Sequence, residues 1–182
     1  MKYPRRLSSG ANNTVIVLSD TEVAKLFTGD TRSDIGSEAE KMKFANAVND
    51  LIVKFVRLDY SEELQAEMLV MERLRPIDYR AYEVEIRELW LDVFEDELRA
   101  LHQAGFVHRD LKRPSDIGGL AFDNILLTEQ GLRLIDVGIE VPMSLGYYFK
   151  SGAWIAANDK DTHYTQAALS GLVFVRARYG LK

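Results

Sequence analysis

The stretch FVHRDLKRPSDIGGLAFDNILL (residues 106–127) constrains the fold more strongly than any other part of the chain. It places a carboxylate at Asp110, a cation at Lys112 and an amide at Asn124, directly before the apolar run ILL. A second apolar run, LRLID (132–136), follows the turn sequence TEQG, and this pattern predicts two short paired strands. The fold must therefore hold a long polar loop against the ends of two short strands.

These residue types, in this order, suit the transfer of a phosphoryl group. Such a reaction needs a positioned hydroxyl, screening of phosphate charge and metal ions on the nucleotide. The Asp110 carboxylate can accept the hydroxyl proton, and the Lys112 ammonium can neutralise the moving phosphoryl group. An Asn124 oxygen and the Asp136 carboxylate can hold Mg²⁺, which prefers hard oxygen ligands. The pattern predicts catalytic roles for the first pair and metal-binding roles for the second.

The same residues resemble the protein kinase family. HRDLK (108–112) is similar to the catalytic loop of that family, and IDVG (135–138) is similar to its magnesium-binding D-F-G, with Val137 in place of phenylalanine. The resemblance implies an α+β fold of the protein kinase-like, two-lobed type, with ATP and Mg²⁺ as cofactors. Its N-lobe would be an antiparallel sheet with one helix, and its C-lobe would be helical and reduced.

Two upstream segments extend the resemblance. EVAKLF (22–27) resembles the third-strand lysine motif, which implies that Lys25 contacts the α- and β-phosphates. SEAEKMKFA (37–45) resembles the helix that supplies the acidic partner of this lysine. Glu38 is the preferred partner, and Glu40 remains the alternative because the register of the helix is not fixed by counting loop residues.

The resemblance also assigns the adenine side of the nucleotide site. EMLVMERL (67–74) is similar to the strand that leads to the hinge, with Met71 as gatekeeper. The backbones of Glu72 and Leu74 would then meet the adenine edge, and Val23 would complete the pocket from the neighbouring strand.

The Gly-rich loop is the weakest match. SSGANNTV (8–15) agrees with the family pattern only at Gly10 and Val15, while Ser8 and Asn13 stand where other glycines are usual. Asparagine tolerates positive φ better than most residues, so backbone amides can still approach phosphates. We expect a poorer phosphate cover than the full motif provides.

Hydrophobic periodicity gives the remaining elements. TVIVLS (14–19), EVAKLF, LIVKFVRL (51–58) and EMLVMERL predict strands, and Ser37 with Glu40 forms a capping-box pattern at the start of a helix. A long helix is predicted over residues 83–104, with Gly105 as its C-terminal cap. Its predicted apolar stripe comprises Ile86, Trp90, Val93, Phe94, Leu98 and Leu101.

The chain is predicted to be a single kinase-like domain over residues 1–182. The change from strands to helix near Arg75 and Pro76 divides it into an N-lobe (1–75) and a minimal C-lobe (76–182). YTQAALSGLVFVRARY (164–179) predicts a late helix. Only 44 residues follow Gly138, without a segment like A-P-E, so we expect a C-lobe with one or two helices beyond that point.

Spacing is the main departure from the family. Asn124 lies 14 residues after Asp110, whereas the family pattern has five, so nine residues are extra. The insertion RPSDIGGLAF (113–122) carries the apolar residues Ile117, Leu120 and Phe122. Either a surface loop or a substrate-side flap over the catalytic base fits this composition equally well.

Composition excludes several functions. The chain has no cysteine, which rules out disulfides, cysteine nucleophiles and thiolate metal sites. Its net charge of −5 gives no support for a nucleic acid partner, and no apolar run reaches the ~18 residues of a membrane span. We expect a cytoplasmic protein whose partners are ATP and a protein substrate, without nucleic acid or membrane.

The sequence therefore favours a minimal protein kinase that phosphorylates a Ser or Thr hydroxyl on protein, with autophosphorylation as one form of this activity. Candidate sites for autophosphorylation are Ser144, Tyr147, Tyr148 and Ser151, although aromatic packing is the favoured role of the two tyrosines. A small-molecule phosphotransferase is the alternative, but such enzymes typically have glycine at Arg109 and lack a lysine like Lys112. A nucleotide-binding pseudokinase ranks third, because Lys25, Asp110 and Asp136 are all present.

Deletion of the nine residues from Ser115 to Asp123 tests the flap hypothesis. The deletion joins Pro114 to Asn124 and restores the five-residue spacing. If the insertion is a flap, phosphoryl transfer to the acceptor should fall because positioning contributes strongly to rate, while ATP binding and slow ATP hydrolysis should persist. Radiolabel transfer and calorimetric ATP titration measure the two effects. Loss of ATP binding together with a lower melting temperature would instead make the insertion part of the core.

Overall fold

The structure is a computed structural model, and it describes residues 6–9, 14–27, 34–108, 124–137, 148–150, 153–155, 175–176 and 178–181. A five-stranded antiparallel sheet occupies the N-terminal part, as the alternating runs predict. Its strands are β1 (Arg6–Ser9), β2 (Thr14–Val17), β3 (Glu22–Phe27), β4 (Phe55–Ser61) and β5 (Ala66–Glu72). Their order across the sheet is β1-β2-β3-β5-β4, so β3 is central and β4 lies at an edge.

Helix α1 (Ile35–Asn46) lies between β3 and β4 in the chain. The prediction that Ser37 caps this helix is wrong, because the cap is Asp34, whose Oδ1 accepts the Ser37 N–H at 2.6 Å. Both D-x-x-S and S-x-x-E fit a cap pattern. A carboxylate at Asp34 also interacts favourably with the positive end of the helix dipole, which favours the earlier start.

The segment Leu51–Val53 does not extend β4, although the run LIVKFVRL predicts one continuous strand. It pairs instead with a second hairpin, formed by β6 (Ile125–Thr128) and β7 (Gly131–Leu134). The Val53 N–H donates to the Leu134 carbonyl, and the Leu134 N–H donates to the Leu51 carbonyl, both at 2.8 Å. These two bonds connect the segment before β4 directly to β7, the strand that precedes Asp136.

Helix α2 (Val84–Gln103) packs against this hairpin and ends before Gly105, whose φ of +93° agrees with the predicted C-terminal cap. Its buried face comprises Leu91, Phe94, Leu98 and Leu101. Ile86 and Val93, which belong to the predicted stripe, are exposed. The 3-4-3 spacing of the buried residues defines a narrower face than the predicted stripe, and these two side chains lie at its margin.

The larger of two hydrophobic clusters among the described residues runs from one face of the sheet through α1 to α2 and the β6–β7 hairpin. Val175, Tyr179 and Leu181 join this cluster, and Arg87 Nη1 donates to the Tyr179 carbonyl at 2.8 Å.

A short hairpin of β8 (Tyr148–Lys150) and β9 (Ala153–Ile155) completes the described strands. Most of the predicted helix over residues 164–179 lies outside the described residues. None of the described helices has the length and apolar character needed to cross a bilayer.

Substitutions of two leucines on α2 test whether its buried face stabilises the fold. Leu98 is 1% exposed and Leu89 is 60% exposed, so the same substitution probes opposite sides of one helix. We expect Leu98→Ala to lower the free energy of unfolding by about 2–5 kcal/mol, since it leaves a cavity. Leu89→Ala should change it by less than about 0.5 kcal/mol. Urea denaturation followed by circular dichroism measures both, and similar losses in the two variants would contradict the observed orientation of α2.

Candidate active site

Lys25 is the centre of a buried charge cluster. Strand β3 points this side chain, only 5% exposed, toward α1 and the end of β7. Its Nζ donates to both carboxylate oxygens of Glu38 and to Oδ1 of Asp136, each at 2.9 Å. Glu40, the alternative partner, is exposed and binds Lys43 instead. The structure thus brings together the predicted lysine, helix glutamate and metal-binding aspartate.

Asp136 has a φ of +58°, a left-handed conformation that non-glycine residues rarely adopt. Such a backbone persists only where surrounding contacts hold it. The contacts here fall on the preceding residue: the Ile135 N–H donates to the Asn124 carbonyl at 2.9 Å, and His108 Nε2 donates to the Ile135 carbonyl at 2.8 Å. Together with the bond from Lys25, they fix the direction of the Asp136 carboxylate.

Burial and mutual attraction shift the pKa values of the charged groups in this cluster. Burial lowers the pKa of Lys25, but attraction by the carboxylates of Glu38 and Asp136 and their hydrogen bonds outweighs this effect and leaves that pKa above its usual value. Burial raises the pKa of Glu38, and the neighbouring ammonium of Lys25 only partly opposes the rise. Lys25 therefore remains a cation, and Glu38 depends on it to stay ionised inside the protein.

The face of the sheet around Lys25 also carries the residues predicted to line the adenine pocket. Val15 is paired with Lys25 across β2 and β3, and Val23 is paired with Met71 across β3 and β5. Val23 and Met71 are buried, while Val15 and Leu74 are partly buried against the same core. These side chains form an apolar surface next to the Lys25 ammonium.

Glu72 is more constrained than the sequence suggests. Its N–H donates to the Lys54 carbonyl at 3.0 Å, so that N–H is not available to a nucleotide. Its carboxylate accepts from the Lys54 N–H at 2.8 Å and forms an ion pair with Arg133 of β7. Sequence reasoning missed Arg133, although a single cation within the apolar run LRLID is a recognisable signal of a buried partner.

Three of the predicted site residues, Gly10, Asp110 and Lys112, lie outside the described residues, as does the insertion at 113–122. Asn124 is buried at the start of β6 and contacts Ile135 through its carbonyl. The roles predicted for these residues stay predictions.

One described side chain, that of Asp136, is suited to binding a magnesium ion. The Asp136 side chain is 41% exposed, so its carboxylate meets Lys25 on one side and solvent on the other. Mg²⁺ commonly takes one or two carboxylates and keeps several waters, which such a half-exposed group allows. No cluster of three His, Cys, Asp or Glu side chains occurs within the part of the chain that the structure describes. Within the described residues, the exposed side of the Asp136 carboxylate has room for a metal ion, and the Asn124 carbonyl is bonded to the adjacent Ile135 N–H.

The charge cluster predicts a distinctive pH dependence of stability. Lys25→Met removes the cation and leaves the Glu38 carboxylate buried, which should cost about 3–5 kcal/mol near pH 8. Burial already raises the pKa of Glu38 above its ordinary value while Lys25 opposes the rise, and the variant loses that opposing cation. A carboxyl with a raised pKa in the folded state contributes stability at low pH that is lost as the pH rises and Glu38 ionises. The loss should therefore be smaller at pH 5 than at pH 8 in urea titrations.

The double variant Lys25→Met/Glu38→Gln is the matched control. It lacks the buried carboxylate at this position, so its stability should vary less between pH 5 and pH 8 than that of the single variant. A single-variant loss that is the same at both pH values would contradict the proposed dependence of Glu38 on Lys25.

Comparison with known proteins supports the architecture. The sequence matches no protein-family model, and no curated protein matches it. Among solved structures, the fold is similar to that of the Legionella pneumophila Lpg2603 kinase bound to IP6, with a TM-score of 0.60 and 16% sequence identity. The match covers 98% of this chain and 61% of the Legionella chain, so this chain spans about three fifths of its length. The similarity in architecture shows that the chain has a mixed α+β, kinase-like fold.

Proposed function

We propose that this protein is an ATP- and Mg²⁺-dependent kinase that transfers a phosphoryl group to a Ser or Thr hydroxyl on protein. The observation that carries the proposal is the bonding of Lys25 to both Glu38 and Asp136 within a kinase-like fold. A cation placed beside a half-exposed carboxylate suits the binding of nucleotide phosphates and their metal ion. The adjacent apolar surface of Val15, Val23 and Met71 suits a purine.

Each residue has a proposed role in the reaction. Lys25, oriented by Glu38, binds the α- and β-phosphates of ATP. Asp136 and Asn124 hold Mg²⁺, which when bound neutralises charge on the phosphates. Asp110 accepts the proton of the attacking hydroxyl, and Lys112 stabilises the transferring phosphoryl group.

The bond of His108 to Ile135 supports this assignment of Asp110. His108 is buried, and its ring binds the carbonyl directly before Asp136. Asp110 follows His108 by two residues, so the loop that carries the proposed base starts next to the proposed metal ligand.

We further propose that residues 1–75 and 76–182 act as the two lobes, joined by the extended segment 73–78.

A small phosphorylated molecule is the second candidate acceptor. The Legionella kinase of similar fold is bound to IP6, and this favours testing such molecules beside proteins. Arg109 and Lys112 within HRDLK favour the protein acceptor. A pseudokinase is less favoured, because Lys25, Glu38 and Asp136 are all present and Lys25 is bonded to both carboxylates.

Asp136→Asn tests the proposed chemistry. We expect Mg²⁺-dependent transfer from labelled ATP to fall at least about 100-fold, because a carboxylate that holds the metal is lost. Asp50→Asn, which changes an exposed carboxylate paired with Lys54, should leave the rate unchanged. Label incorporation into the chain itself, into generic protein substrates and into inositol phosphates separates the acceptor classes. Full activity of Asp136→Asn, or equal activity with and without Mg²⁺, would overturn the metal assignment.

A further inference from the structure

Strand β4 lies at one edge of the described five-stranded sheet. It pairs with β5 on one side, and no described strand pairs with its other side. Leu58 and Tyr60 are 45% and 47% exposed, although both are large and apolar in character. An edge strand presents a row of backbone N–H and C=O groups that can pair with another strand. The Tyr60 N–H is bonded to Asp59 Oδ1 of the same chain at 2.9 Å, so the rest of the edge backbone and the exposed side chains of β4 offer the surface for a partner.

The two faces of β4 differ in character. Leu58 pairs with Leu69 and Tyr60 pairs with Glu67, which places these two side chains on one face of the sheet. Arg57 and Asp59 alternate with them and so lie on the opposite face. One face of the edge is apolar, and the other carries one positive and one negative charge.

This order of residues is complementary to itself. In an antiparallel pair of two β4 strands centred on Leu58, each Leu58 faces its copy and each Arg57 faces the Asp59 of the other chain. Val56 then stands opposite Tyr60, at the irregularity between Phe55 and Arg57 where the regular pairing of β4 ends. We propose that β4 is a dimerisation edge, at which a second copy of this chain adds its own β4 about a two-fold axis through Leu58.

The charges select this register over its neighbours. A shift by two residues in one direction places Arg57 against Arg57, and a shift in the other direction places Asp59 against Asp59. A shift by one residue sets Leu58 against a charged side chain, because successive side chains point to opposite faces. Like charges directly across a strand pair are destabilising, and opposite charges are stabilising. Only the register centred on Leu58 satisfies both faces.

Contacts within the chain already engage Arg57 in a single copy. Its Nη1 donates to both carboxylate oxygens of Glu22, at 2.9 and 3.0 Å, and Glu22 lies on β3, two strands in from the β4 edge. Its Nε meets Asp59 of the same chain at 3.3 Å, a longer contact. On association, this longer contact is the one that Arg57 exchanges for Asp59 of the second copy.

The geometry also limits the size of the assembly. A two-fold interface uses the same surface on both copies and closes at the dimer, so it does not propagate into a fibre. The register shift between Phe55 and Arg57 is a bulge-like irregularity, and such features commonly end regular pairing. The paired stretch is therefore short, and we expect a dimer with a dissociation constant on the order of micromolar, in the range of small transient interfaces.

A disulfide across the two-fold axis tests the register. The chain has no cysteine, so each introduced cysteine is the only one in the protein. Facing residues of an antiparallel pair have Cα atoms about 4.5–5.5 Å apart, within the range of a disulfide. Leu58→Cys should form a covalent dimer under mild oxidation, seen on a non-reducing gel. Tyr60→Cys, which faces Val56, and Leu89→Cys, on exposed α2, should remain mostly monomeric. Equal cross-linking of all three variants would overturn the proposal.

Charge exchange provides the second test. Arg57→Asp and Asp59→Arg each place like charges across both ends of the interface, so each should weaken dimerisation roughly tenfold or more in sedimentation equilibrium. The double variant Arg57→Asp/Asp59→Arg restores opposite charges between the chains and should recover affinity to within about threefold. A wild-type protein that stays monomeric up to about 200 μM, well above the expected constant, would overturn the proposal. So would a folded double variant that fails to recover; the melting temperature confirms folding.

Discussion

A single buried ammonium group connects three distant parts of this protein. Lys25 comes from the central strand of the sheet, Glu38 comes from α1, and Asp136 follows the last strand of the second hairpin. The cost of removing these charges from water is offset only while all of them stay close and hydrogen-bonded. The arrangement therefore requires the sheet, the helix and the hairpin to be correctly placed at the same time. The geometry of the candidate active site is in this sense a consequence of the tertiary fold.

Sequence patterns predicted the elements that depend on near neighbours. The hairpin of β2 and β3, strand β5 and the β6–β7 hairpin follow from short alternating runs and turn residues. The start of α1 and the path of Leu51–Val53 were predicted wrongly. In both cases two local structures were compatible with the sequence, and contacts with the rest of the molecule decided between them. For Leu51–Val53, the deciding partner is Leu134, some 80 residues later in the chain.

The candidate site shows the same division. The order of motifs was enough to select Lys25 and Asp136, but it left the choice between Glu38 and Glu40 open. These two residues lie on nearly opposite sides of the helix, and the sequence does not say which side faces the sheet. The pairing of Arg133 with Glu72 could not be predicted from the sequence. A charge inside an apolar strand indicates a buried partner, yet it does not say which one. The partner is fixed by the contact of the end of β5 with β7, which is a property of the assembled fold.

The attachment of Leu51–Val53 to β7 has a mechanical consequence. Within the described residues, backbone hydrogen bonds join the sheet to the later part of the chain at two separate places, this attachment and the linker after β5. The linker is itself held near both ends: the Arg73 N–H donates to the Thr21 carbonyl, and the Ile77 N–H donates to the Leu127 carbonyl. The two backbone connections define one line of easy rotation, and the side-chain bonds of Lys25 to Asp136 and of Arg133 to Glu72 oppose rotation about it. Opening of the cleft beside Lys25 should therefore follow this line, with torsional change concentrated in residues 74–76, and should require the bond between Lys25 and Asp136 to break.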